Sequence, residues 1–275
     1  MLPSYILSLR EGIEAALVIG IVLGAVRKIN RPELTSIIWF GALIAFIVSV
    51  LAAVLLTTFG LELKGTAEPV FEGFTMLLAA GVLTWMIFWM SNQSHTLKSE
   101  LEAGVSKAAG SAGKQALFWL AFVAVIREGI ELALFLAAAA FASSTQQTLL
   151  GAVLGIGTAA LLGWTLFAST MRLDLRRFFQ VTGFLLILFA AGLIANSVFE
   201  FNEVNWIPAI VEHIWDVNAI VNNTSTFGQL LKALFGYNGN PSLTQMIAYF
   251  AYLLGILITL QFIKGKPKAA EQPQA

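Results

Sequence analysis

The sequence predicts an all-α, polytopic membrane protein, and three observations carry that prediction. Hydrophobic residues make up 58% of the 275 positions and charged residues only 12%, about half the roughly 25% of an ordinary soluble domain. Mean hydropathy is +0.81. Several apolar runs reach the ~20 residues that a helix needs to cross a bilayer.

Seven such runs stand between polar punctuation, at about 4–26, 36–59, 70–90, 115–142, 148–170, 178–199 and 245–263. The connections after spans one, three and five hold Arg27, Lys28, Arg31, then Lys98, Lys107, Lys114, then Arg172, Arg176, Arg177. The C-terminal tail adds Lys264, Lys266 and Lys268, whereas the opposite side has only Lys64 and Lys232. Because cytoplasmic loops collect Lys and Arg, the expected topology is N-terminus outside, C-terminus cytoplasmic. The first segment has no basic n-region or small-residue cleavage site, so it is expected to stay as a helix.

The outer connections carry Glu62, Glu68, Glu200, Glu203, Glu212 and Asp216. An acidic outer face concentrates cations at an entrance, although positive-inside bias alone also leaves solvated acids there. Within the long connection at about 200–244, the stretches 206–221 and 226–237 mix apolar and polar residues at near-helical spacing. They are expected to be amphipathic surface helices. Glu212 and Asp216 would then share a helix face near His213 as a loose cation site, or simply as ordinary polar residues of a surface helix.

The stretch REGIE occurs twice, at 10–14 and 127–131. A shift of 117 residues lays REGIEAAL on REGIELAL and aligns Gly12, Ala16, Gly20 with Gly129, Ala133, Ala137. Farther on, LLAAGVL (77–83) resembles LFAAGLI (188–194). Each repeat therefore holds three spans, repeat one at about 4–90 and repeat two at about 115–199. An odd number of crossings inverts the second copy, and the seventh span at about 245–263 is an addition. All of 1–275 reads as one transmembrane domain. Inverted repeats place substrate sites near the midplane, at the interface between the copies.

At about 100° per residue, Arg10, Glu11 and Glu14 fall in one arc and Gly12 lies opposite. Small residues let such helices pack closely. If both charged arcs face the pseudo-axis, four carboxylates and two guanidinium groups meet at membrane depth. Each unpaired charge there costs at least about 2.5–3.5 kcal/mol. An ion-pair staple would explain one glutamate per arginine, and would leave Glu11 and Glu128 unexplained. The deficit of positive charge fits a bound cation, with Glu11, Glu14, Glu128 and Glu131 as ligands and Arg10 and Arg127 aiming them.

Carboxylate oxygens favour hard cations and do not choose among magnesium, manganese, calcium and ferric iron. The chain has no cysteine, which excludes disulfides and thiolate metal sites, and only two histidines, His95 and His213. Glu-x-x-His di-iron motifs and paired-histidine haem ligation are both missing, as is a Walker A sequence. An enzyme is not expected, nor a prosthetic group, nor a nucleic-acid partner. Glu72, at the outer end of span three, is a second candidate ligand or an interfacial acid. Trp85 and Trp89 read as aromatic-belt residues, and Met86 and Met90 as packing residues.

With its paired Arg-Glu-x-x-Glu motifs at 10–14 and 127–131, together with FEGF (71–74), LTWMIFWM (83–90) and LFGYNGNPS (234–242), the sequence resembles the high-affinity iron permease family, its bacterial branch in particular. That resemblance implies an iron permease of the bacterial inner membrane, with iron as the transported substrate and the two motifs as the translocation site. It also implies an extracytoplasmic iron-binding protein and a haem peroxidase as partners. Transport of another cation (manganese, calcium or lead) and a membrane-bound iron oxidoreductase are the alternatives.

Overall fold

The computed structural model describes residues 1–93, 103, 105, 113–168, 174–212, 214–217, 225, 228, 231 and 235–264. Among these, seven long helices follow one another: α1 (Leu2–Lys28), α2 (Thr35–Glu62), α3 (Ala67–Gln93), α4 (Gly113–Ala142), α5 (Thr145–Ala168), α6 (Leu175–Glu203) and α7 (Leu243–Lys264). The shortest has 22 residues, about 33 Å at 1.5 Å per residue and enough for a hydrocarbon core of about 30 Å.

Local chemistry sets the ends. After α1, Asn30 takes a positive φ of 54°, and Pro32 opens a short 3-10 turn that leads into α2. Gly65, with φ at 69°, turns the chain from α2 into α3, a conformation that glycine adopts at little steric cost. Asp174 caps α6 by accepting the Arg177 backbone N–H at 3.1 Å.

Five of the helices (α2, α3, α5, α6 and α7) are long and apolar enough to cross a membrane. The other two, α1 and α4, are equally long and carry the REGIE charges. The apolar face of α2 lies open along Trp39, Phe40, Leu43, Phe46, Leu51 and Leu55. A continuous exposed surface of that kind suits lipid, not water.

The pairing of helices is crossed. α1 packs most extensively on α5, and α2 on α4, while α3 pairs with α6 and α1 also meets α4. Glycines make the close contacts. A Cβ on Gly12 would lie 2.6 Å from the Cβ of Ala159, and one on Gly163 would lie 2.8 Å from that of Ala16, so the small-residue row of α1 is the α5-facing side. In the other pair, Gly129 of α4 sits directly against Ser49 of α2. The same contact recurs at the helix ends: Gly41 of α2 lies against Phe118, Ala121 and Phe122, and Gly151 of α5 lies against Met1, Ser4 and Tyr5. Those three α4 residues are each 117 positions beyond their counterparts at the start of α1.

Two apolar cores result. One joins Leu7 of α1 to Met76, Leu83 and Met86 of α3, Phe135 of α4 and Leu193 of α6. The other joins Val22 and Val26 of α1 to Ile38 of α2 and Leu117 of α4. Along α1 the charged arc Arg10–Glu14 falls between them. α7 packs on α6 and is tied to α3 by a 2.8 Å hydrogen bond between Tyr252 and Thr84.

The connection before α7 differs from expectation. Residues 206–212 and 214–217 form bends and extended segments, not an amphipathic helix, so Glu212 and Asp216 share no helix face. Pro208 disfavours helix in the residue before it, and Ile210 has a positive φ of 54°. His213 and the end of the first stretch, 218–221, lie outside the described residues, as does most of 226–237. Ser242 donates to Asn202 Oδ1 at 2.9 Å, near the end of α6, yet Gly236 lies against Gly192, ten residues back along the same helix. The chain thus runs about 15 Å alongside α6. Irregular backbone at that depth must be buried in protein, and only two glycines permit so close an approach: Gly236 has φ at 65°, and a Cβ on Gly192 would come within 2.7 Å of the Gly236 nitrogen.

Candidate functional site

The two REGIE segments sit on α1 and α4 where these helices meet. With the glycine sides turned to α5 and α2, the charged arcs are left for the α1–α4 interface. Carboxylate oxygens of Glu11, Glu128 and Glu131 all lie within 4.8 Å of one another. Glu11 is 1% exposed, and neither of its carboxylate oxygens has a hydrogen-bond partner among the described residues. Glu131 Oε2 is likewise buried without a partner. Buried polar atoms nearly always find partners, and these oxygens have none among the described residues.

Each arginine reaches four residues along its own helix. Arg10 Nε donates to Glu14 Oε1 at 3.1 Å, and Arg127 Nε donates to Glu131 Oε1 at 3.2 Å. Glu14 is therefore engaged by Arg10 and is not one of the three converging carboxylates, although Glu131 and Arg127 are among its charged neighbours. The repeat copies are not equivalent in their surroundings. The Arg10 side chain is 2% exposed, whereas that of Arg127 is 39% exposed.

Glu72 stands apart. It is half-buried on α3, and its charged neighbours are Glu68 and Glu203, not the central glutamates. Trp89, read from sequence as a belt residue, lies under the Arg127 guanidinium, with 4.4 Å from Cζ to the ring centroid. It stacks on Trp85 at 6.0 Å between centroids. Only the i,i+4 spacing of the two tryptophans hinted at a shared ridge. Met86 is buried in the core beside them, while Met90 has no described side chain.

Three hard oxygen donors at close quarters, with two guanidinium groups beside them, can hold a multivalent cation. The chain has no cysteine, so no thiolate contributes, and among the described residues the converging donors are all carboxylate oxygens.

Known proteins are similar to this chain over almost its whole length. The chain is 33% identical over 260 residues to the ferrous iron permease EfeU of Escherichia coli O157:H7, with 94% of each chain covered. It is equally similar to the protein of that name from Shigella sonnei (strain Ss046). Identity to the Yersinia pestis ferrous iron permease EfeU is 29%, over 94% of this chain and 92% of that one. No solved structure matches. The pattern of the Iron permease FTR1 family matches residues 1–265, which takes in both REGIE segments and all seven helices. This is a multi-pass protein of the bacterial inner membrane, and it belongs to the iron permease FTR1 family.

Proposed function

We propose that the protein moves iron across the cytoplasmic membrane into the cell through the site between α1 and α4. The observation that carries this is the convergence of Glu11, Glu128 and Glu131, with both Glu11 oxygens lacking a partner among the described residues. Four carboxylates against two guanidinium groups leave the site short of two positive charges, which an iron ion supplies. Glu11, Glu14, Glu128 and Glu131 are the metal ligands in this reading, and Arg10 and Arg127 orient them. Family membership and the relatives' names favour iron over another hard cation. They are permeases, so transport, not catalysis, is the activity, and iron is cargo and not a prosthetic group.

The crossed pairing of α1 with α5 and α2 with α4 supports a 3+3 inverted repeat with α7 added. So do the matching contacts of Gly41 and Gly151. In this reading all seven helices cross the membrane, with the N-terminus outside. Glu72, with Glu68 and Glu203, then lies on the outer approach to the central site. An extracytoplasmic iron-binding protein and a haem peroxidase are the proposed partners.

The decisive test offers radiolabelled ferrous and ferric iron to vesicles that hold only this chain. Accumulation of iron in the lumen is expected. Uptake of manganese or calcium in its place would reassign the cargo. Redox turnover of tightly held iron without uptake would instead make the protein an oxidoreductase.

A further inference from the structure

The cation–π contact between Trp89 and Arg127 joins helix α3 to helix α4, which places it between the two halves of the molecule. Arg127 could collapse onto both of its neighbouring carboxylates, and it does not. Its Nε hydrogen-bonds Glu131 Oε1 at 3.2 Å but makes only a looser ion pair with Glu128 Oε1, at 4.0 Å and beyond hydrogen-bond reach. The indole beneath the guanidinium is a third partner that competes with Glu128 for it. The other half carries a different residue at the matching place. Eight residues past Gly81 stands Trp89, whereas eight residues past the matching Gly192 stands Glu200.

We propose that Trp89 is a positioning residue for metal affinity: its indole face holds the Arg127 guanidinium back from Glu128 and so keeps that carboxylate open to the ion. This rests on the iron-transport reading above. Among aromatic side chains tryptophan offers a guanidinium the most favourable face, and a contact of this kind contributes about 0.5–2 kcal/mol. Losing it lets Arg127 fall onto Glu128 and compete with the cation for the same oxygens. Binding weakens, while the steps after binding are untouched.

The test measures initial iron uptake against iron concentration in vesicles carrying the full chain. Trp89→Leu, which keeps an apolar side chain but no aromatic face, is expected to raise the half-saturating concentration about 3- to 30-fold. The maximal rate per inserted protein should stay within about twofold of wild type. Trp89→Phe restores an aromatic face and should recover most of the affinity. A half-saturating concentration unchanged in Trp89→Leu overturns the proposal. So does a fall in maximal rate that Leu and Phe share, since packing alone would produce it. If the unaltered chain accumulates no iron, it is the transport reading that fails; a vesicle-free binding titration of the same variants with ferrous iron then judges Trp89 on affinity alone.

Discussion

Carboxylate oxygens of Glu11 and Glu128 approach within 4.8 Å, although 117 residues separate the two glutamates in the chain. Each occupies the same position of its own REGIE segment. Two carboxyl groups held this close in a buried site cost stability whether or not both are ionised, and neither oxygen of Glu11 has a compensating hydrogen bond among the described residues. In the proposed reading, function, not stability, is the reason to keep such a pair.

Glu11→Gln should therefore separate the two properties. Replacing one ionisable carboxyl by an amide relieves that cost, so the detergent-solubilised, iron-free protein should melt higher, by about 2–4 °C for each kcal/mol relieved. Iron uptake should fall at least about tenfold, because one ligand charge is gone. A thermal melt and an uptake assay on the same preparation check both. A lower melting temperature together with normal uptake would sink the site.

Glu14 and Glu131 take matching places in the two segments and are electrostatic neighbours. Residues that act as a unit give non-additive losses. Glu14→Gln and Glu131→Gln should each nearly abolish uptake, and the double variant should be little worse than either. Multiplying losses, at equal protein levels, would mean two independent sites.

The arginines should differ in what they cost. Lysine keeps the charge but not the planar fork that grips carboxylate oxygens. Arg127→Lys, at a half-open position, should insert normally and lose most uptake. Arg10→Lys, at a side chain 2% exposed, should lose uptake and also reduce the amount of folded protein, since a misfit buried cation is costly. Fluorescence-detected size exclusion of both variants gives the comparison. Equal yields would argue against the burial difference.

Packing on α5 offers a sharper contrast within two residues. A Cβ at Gly155 would come 2.5 Å from the Tyr5 carbonyl oxygen, whereas one at Gly157 meets nothing within 4 Å. Gly155→Ala should destabilise by about 1–3 kcal/mol through forced separation of α1 and α5. Gly157→Ala should be neutral or slightly stabilising, because alanine favours helix. Equal melting temperatures for the two variants would contradict the close α1–α5 contact.

Sidedness is testable because the chain has no native cysteine. Lys64→Cys and Gln229→Cys should react with an impermeant thiol reagent added outside intact cells. Lys107→Cys and Lys268→Cys should react only after permeabilisation. The reverse pattern would invert the topology.

By itself the sequence determined the helices, because a bilayer-length apolar run with polar ends has few alternatives to a helix in lipid. It also determined the family, since two REGIE segments 117 residues apart form a pattern that needs no three-dimensional information. Tertiary structure decided which carboxylates share one space. A helical wheel puts Glu11 and Glu14 on the same arc, yet their partners depend on how α1 crosses α4. The result joins Glu11 to Glu128 and Glu131, engages Glu14 through Arg10, and leaves Glu72 with Glu68 and Glu203. The same holds for the connection before α7. Amphipathic spacing at 206–221 suggested a surface helix, but Pro208 and the backbone at Ile210 oppose one, and the chain later runs beside α6 because Gly192 and Gly236 leave room for it. Periodicity is a local property that a sequence displays directly. Contacts between helices far apart in the chain follow from which glycines touch which neighbours, and only the folded arrangement settles that.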